Sequence, residues 1–122
     1  PDGTAIHHST RGLAARALSA LADDGYAVRS GLEMALTHFR RLESGGVEPA
    51  QRGWDLLGEA TLESIEPLLA PIAGALDAVG LRPRSLEAEL GPGQIEITFG
   101  PADGIATADQ AILAWSTIRA VA

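Results

Sequence analysis

The sequence contains no cysteine and no lysine. Without cysteine it can form no disulfide, no thiolate nucleophile and no cysteine-ligated zinc site. Without lysine it supplies neither a lysine nucleophile nor the lysine of a phosphate-binding loop. Its nine basic residues are all arginine and are outweighed by sixteen acidic residues, which gives a net charge of −7. This balance argues against nucleic acid as a partner, because counterion release requires a basic surface.

Long apolar runs are also missing. A membrane-spanning helix requires roughly 20 consecutive, mostly apolar residues, and no run approaches that length. The N-terminal stretch PDGTAIHHSTR has no signal-peptide core. We therefore expect a cytoplasmic protein without a membrane partner. A length of 122 residues with 46% hydrophobic content is sufficient for one core, so we expect a single domain over 1–122.

Both ends of the sequence are typical of a segment of something longer. It begins with Pro1 rather than an initiator methionine. The last stretch, ADQAILAWSTIRAVA, predicts a helix, but neither glycine, asparagine nor proline follows its final apolar residue. We therefore expect a partial domain.

Three segments have the period of a helix. Ser9 or Thr10 can cap a first helix, which leucine and alanine at helical spacing predict to run to about Asp24 and which Gly25 ends. Similar spacing predicts a second helix over 64–79, in which Ser64 caps the start and Pro67 lies in the tolerant first turn. The buried stripe of the third, C-terminal helix is predicted to comprise Ala108, Ile112, Trp115 and Ile118.

Three other segments alternate apolar and polar residues, which is typical of strands. In GLEMALT the leucine and methionine side chains face one side and leave Glu33 on the other. RSLEAEL and QIEITF are joined by the turn Gly91-Pro92-Gly93 and predict a hairpin. Segment 44–60 has turn formers and no sustained period, so we predict a loop there. This order of elements predicts an α+β fold, with helices packed on one side of a mostly antiparallel sheet.

Two glutamates flank the hairpin turn. Glu89 and Glu96 are predicted to share the non-core face of the sheet with Glu33, and neighbouring carboxylates raise one another's pKa unless a cation balances them. Mg²⁺ and Mn²⁺ prefer oxygen ligands and bind through a few carboxylates together with substrate phosphates. We therefore predict a metal site at Glu33, Glu89 and Glu96. An isolated glutamate on a strand is more commonly a solvated residue, and pattern alone leaves that alternative open.

The segment ELGPGQIEI, followed by PADG and ADQAILAWSTIRAVA, resembles the glutamine synthetase family, in which a glutamate, a Gly-Gln turn and a second glutamate precede an Ala-Asp helix ending in arginine. GLEMAL resembles the family's Gly-x-Glu-x-Glu-Phe strand, and LESIEPLLAPIAGALDAVGLRPRS matches the helix that connects those strands. The resemblance covers nearly the whole chain and implies part of the family's incomplete catalytic barrel.

This resemblance implies an ATP-dependent carboxylate–amine ligase of nitrogen metabolism. In the family, ATP phosphorylates a γ-carboxylate and an amine then displaces the phosphate, with divalent metals bound between facing strands. The resemblance thus implies Mg²⁺ or Mn²⁺ as cofactor, ATP as co-substrate, and a small-molecule carboxylate and amine as substrates. Because the family's active site lies between subunits, it also implies a homo-oligomer or a complementary chain that completes the site.

Carried over by position, Glu89 and Glu96 are similar to two ligands of the metal nearest the carboxylate substrate. Glu33 is similar to the first member of the Glu-x-Glu pair, which binds the metal at the ATP phosphates. The second member corresponds to Ala35, whose methyl group cannot bind a metal, so the resemblance implies that the first metal site keeps only two of its three expected carboxylates. The family's small domain, metal-binding histidine and ATP-binding arginines have no counterpart here. We therefore predict a segment of a ligase that is incomplete on its own. The alternatives are a non-catalytic relative kept for assembly or binding, and a generic α+β interaction domain.

Overall fold

The described residues form three helices and five strands. The computed structural model describes residues 6, 8–54 and 56–121. Within these ranges the elements are α1 (Thr10–Asp23), β1 (Arg29–Thr37), β2 (Phe39–Arg41), β3 (Val47–Pro49), α2 (Glu59–Ala78), β4 (Pro83–Ala88), β5 (Gln94–Asp103) and α3 (Ala106–Val121). None of the helices described combines the length and the apolar character of a membrane span.

Strand β5 is the centre of a three-stranded antiparallel sheet with the order β1-β5-β4. Alternation along β5 buries Ile95, Ile97 and Phe99 on one face, where they are 0, 0 and 6% exposed. Helices α2 and α3 cover this face, and their buried residues are Ile65, Leu69, Ile72, Leu76, Ala114 and Ile118. Each fully buried isoleucine, leucine or phenylalanine side chain contributes about 1.5–3 kcal/mol to stability, because its apolar surface is removed from water. The predicted α+β fold, with helices on one side of an antiparallel sheet, is confirmed.

The predicted loop 44–60 is wrong in part, because it contains β3 and the first residues of α2. Strands β2 and β3 form a short hairpin in which Arg40 lies opposite Glu48, and the Arg40 guanidinium donates hydrogen bonds to the Glu48 carboxylate. A strand of three residues is too short to show a period in the sequence. Strand β3 is recognised only in the structure, through its pairing with β2.

The remainder of that segment runs along the outer edge of β4. The backbone N–H groups of Trp54 and Leu57 donate to the carbonyls of Leu90 and Ala88, at 2.8 and 2.9 Å. Trp54 and Leu57 have φ angles of 64° and 55°, a conformation that costs a non-glycine residue free energy. The segment covers an edge that would otherwise offer unpaired backbone groups to other strands.

Helix α2 begins earlier than predicted, at Glu59. The hydroxyl of Ser64 does not cap the helix but donates to the carbonyl of Thr61 within it, at 2.7 Å. Pro67 therefore lies in the helix interior rather than in its first turn. The added N-terminal residues include Leu62, which packs against the core. Tertiary packing of this kind extends a helix beyond its local signals.

Helix α1 matches its prediction in extent. The Ser9 hydroxyl caps it by accepting a hydrogen bond from the N–H of Gly12. Within the part of the chain that the structure describes, α1 buries no residue, and Leu13 is 53% exposed. Two hydrogen bonds of 2.8 Å from the Arg11 guanidinium to the Asp109 carboxylate connect α1 to the first turn of α3. This pairing raises the pKa of Arg11 and lowers the pKa of Asp109.

The side of helix α3 that faces the core differs from the predicted stripe. Ala114 and Ile118 are buried, whereas Ile112 is 71% and Trp115 46% exposed. Small side chains such as Ala114 allow α2 and the sheet to approach closely, and the larger Trp115 does not fit there. The apolar residues on the other side of α3 therefore remain at the surface of this chain.

Candidate metal centre

Four glutamates lie on the sheet face opposite the helices. Glu96 on β5 pairs directly with Glu87 on β4. Glu89 follows β4, and its N–H still donates to β5 at 3.0 Å, so its side chain is a diagonal neighbour of Glu96. On the other side of β5, Ala35 of β1 pairs directly with Glu96, and Glu33 lies one side chain further along the same face. The alternation of three neighbouring strands thus collects these carboxylates.

Three of these carboxylates are close enough to share an ion. Glu87, Glu89 and Glu96 are half-buried, and each offers a carboxylate oxygen that lies within 4.8 Å of the others. Like charges at this separation repel one another strongly when water is partly excluded. Hard carboxylate oxygens are the ligands that Mg²⁺ and Mn²⁺ prefer. The chemistry of this donor set therefore fits a divalent cation.

The fourth carboxylate, Glu33, acts on Glu96. A hydrogen bond with Glu33, followed by partial burial and by repulsion from Glu33, Glu89 and Glu87, raises the pKa of Glu96 to about 7. Two carboxyl groups can share a hydrogen bond only if one of them is protonated. Glu96 therefore releases its proton at a higher pH than an ordinary glutamate, and a cation bound to the carboxylate would favour that release.

The turn that precedes Glu96 is fixed by close contact with the end of β1. Gly93 has a φ of 71°, and a Cβ atom there would collide with the carbonyl oxygen of His38. The N–H of His38 in turn donates to the Gly93 carbonyl at 2.7 Å. The Gln94 side chain accepts a hydrogen bond of 3.2 Å from the N–H of Gly91. These contacts hold the hairpin, and with it Glu96, against β1.

The structure brings the three sequence-predicted residues to one face, and their role as metal ligands stays a prediction. Glu89 and Glu96 belong to the group within 4.8 Å, and Glu33 contacts Glu96. Sequence reasoning left Glu87 out of the site, although alternation already placed it on this face. The missing information was the register, which sets Glu87 rather than Glu89 directly opposite Glu96.

The chain belongs to the glutamine synthetase family, since the family model for the glutamine synthetase catalytic domain matches residues 7–122. Over 127 residues it is 32% identical to γ-glutamylanilide synthase of Acinetobacter sp, and the aligned region covers 91% of this chain and 25% of that protein. Over 116 residues it is 28% identical to a γ-glutamylethanolamide synthetase of Streptomyces coelicolor, and the aligned region covers 89% of this chain and 25% of that protein.

The fold agrees with a solved structure of similar architecture. The chain matches GmaS in its apo form without ligand with a TM-score of 0.80 at 20% identity, over 99% of this chain and 29% of the GmaS chain. At this identity the likeness concerns the fold alone. The chain spans about a quarter of the length of the curated relatives it matches.

Proposed function

We propose that this chain provides carboxylates of the metal-binding face of an ATP-dependent ligase that joins an amine to a small-molecule carboxylate, with a γ-glutamyl amide as the product class. Membership of the glutamine synthetase family supports the reaction type. The two curated relatives are named for the synthesis of γ-glutamylanilide and γ-glutamylethanolamide, which supports the product class.

One observation carries the proposal, which is the approach of Glu87, Glu89 and Glu96 to within 4.8 Å on a half-buried face. In this proposal Glu89 and Glu96 would hold the Mg²⁺ or Mn²⁺ ion that serves the carboxylate substrate, and Glu33 would hold the ion that serves the ATP phosphates. Such ions, when bound, neutralise charge on the transferring phosphoryl group. Glu96 would give up the proton that it shares with Glu33 if a cation bound its carboxylate.

We propose that the groups that bind ATP and the amine come from outside this chain, in a homo-oligomer or a complementary chain. A cleft of about 420 Å³ beside the glutamates is lined by Glu33, Thr98 and Arg84 among others. The four glutamates lie on the sheet face that α2 and α3 leave uncovered. Further protein packed over this face would exclude water and add the missing donors.

A cation titration tests the proposal. Mg²⁺ or Mn²⁺ added to the full chain at about pH 8, where carboxylates are ionised, is expected to raise the melting temperature, because the ion binds the folded state. Glu96→Gln is expected to abolish the rise. Glu43→Gln, which removes the same charge from an exposed position between β2 and β3, should retain it.

The outcome also separates this function from a non-catalytic relative kept for assembly. No shift at millimolar metal in the unmodified chain would contradict the proposal and favour that alternative. ATP-dependent release of phosphate that requires both a carboxylate and an amine would test the reaction itself.

A further inference from the structure

We propose that Glu87 is the third carboxylate ligand of the cation held by Glu89 and Glu96, and that it takes the place of the carboxylate that Ala35 lacks. The inference rests on the proposed function, because it adopts the divalent cation from it. It concerns which of this chain's own residues complete the site.

The geometry of a central strand is the first step of the argument. Glu96 lies on β5 and has two directly opposite neighbours on its face, Ala35 from β1 and Glu87 from β4. Directly opposite side chains on antiparallel strands have Cβ atoms about 4.5–5.5 Å apart. A carboxylate on either neighbour therefore reaches the space beside Glu96. In this chain the neighbour from β1 ends in a methyl group, and the neighbour from β4 has the carboxylate.

The second step is the distance. The carboxylate oxygens of Glu87, Glu89 and Glu96 lie within 4.8 Å of one another. Mg²⁺ holds oxygen ligands at about 2.1 Å in an octahedron, so that two opposite ligands lie about 4.2 Å apart. Rotation of these side chains would close the remaining difference. The donors from β4 and β5 thus converge without any contribution from residue 35.

The third step is charge. The ion pairs found among the described residues use other carboxylates, so that none of them balances Glu87. Like charges directly opposite each other destabilise an antiparallel pair, and Glu87 faces Glu96 in this way. A bound cation reverses the sign of this interaction. Glu87→Gln should therefore raise the melting temperature of the metal-free chain and weaken cation binding, whereas loss of a merely solvated glutamate would do neither.

The test measures the affinity of the full chain for Mn²⁺ by electron paramagnetic resonance. Glu87→Gln is expected to weaken Mn²⁺ affinity by at least about tenfold, since even removal of a group that only supports a ligand has an effect of this size. Glu43→Gln is the control for charge and should bind as the unmodified chain does. Adding Ala35→Glu to Glu87→Gln moves the carboxylate from one side of Glu96 to the other and should restore most of the affinity.

Two further variants make the result decisive. Glu87→Asp keeps the charge with a shorter reach, and a reduced affinity in this variant supports ligation even if Glu87→Gln folds poorly. Affinity equal to that of the control in both Glu87 variants, with a loss in Glu96→Gln, would overturn the assignment of Glu87 and leave the proposed function intact. Failure of the unmodified chain to bind Mn²⁺ at millimolar concentration would overturn both.

Discussion

The two faces of the three-stranded sheet differ completely in chemistry, although neighbouring residues of the same strands build them. On β5, Ile95 and Ile97 are fully buried beneath α2 and α3. Between them Glu96 points to the opposite face, where it meets Glu33 and Glu87. Burial stabilises the first face, whereas like charges destabilise the second. One step along a strand thus separates the stability of the fold from its candidate chemistry.

The largest effect is expected on the helix-covered face. Ile97→Ala removes a fully buried side chain and should lower the free energy of unfolding by about 2–5 kcal/mol, through lost burial and the cavity that remains. Denaturant unfolding measures the change. Ile112→Ala, at a position that is 71% exposed, is the control and should stay within about 0.5 kcal/mol. Equal losses in the two variants would contradict the assignment of the core.

The turn between β4 and β5 is expected to be nearly as sensitive. Gly93→Ala introduces a side chain at a φ of 71°, against the carbonyl of His38, and should cost roughly 1–3 kcal/mol in unfolding free energy. Gly45→Ala introduces one at a φ of 89° with open space around it, so that only the backbone strain of about 1 kcal/mol applies. The difference between the two variants measures the close contact, and identical losses would mean that this contact is absent.

On the glutamate face the expected effect is a pH dependence. Folding raises the pKa of Glu96 from an ordinary value of 4.5 to about 7, so the folded state holds a proton that the unfolded state has released. The stability from this proton is fully present below about pH 4.5 and is lost as the pH rises through about 7. Glu96→Gln should therefore gain in melting temperature relative to the unmodified chain over this range. Parallel profiles would argue against the contact with Glu33.

Saturating Mg²⁺ sharpens the same comparison. The cation stabilises the ionised carboxylate, so the advantage of Glu96→Gln in melting temperature should shrink or reverse. An advantage that persists unchanged in Mg²⁺ would show that the ion does not reach Glu96.

The smallest effect is expected at a site away from both faces. Arg11 and Asp109 form an exposed ion pair, with side chains that are 63% and 48% accessible, and solvent screens such pairs. Arg11→Ala should change the melting temperature little, and any change should vanish at about 1 M salt. Arg82→Ala breaks another exposed pair, with Asp77, and should behave alike. A loss as large as that of Ile97→Ala would contradict this view of α1.

Local patterns in the sequence were sufficient for the identity of the two faces. Alternation along three strands predicted Glu33, Glu89 and Glu96 on the face away from the core, because the period of a strand depends on backbone geometry alone. The stretch ELGPGQIEI likewise predicted the glutamine synthetase family, which the match to the family model confirms. The extent of α1 followed from its cap and from Gly25, which are both local signals.

Contacts between residues far apart in the chain decided the rest. The pairing of Glu87 with Glu96 depends on how the turn sets the register of β4 against β5, which no single strand encodes. In α3, the predicted stripe with Ile112 and Trp115 satisfied the helical period as well as the buried Ala114 does. The space left by α2 and the sheet selected the small side chain, because a close-packed core admits only the shapes that fit it.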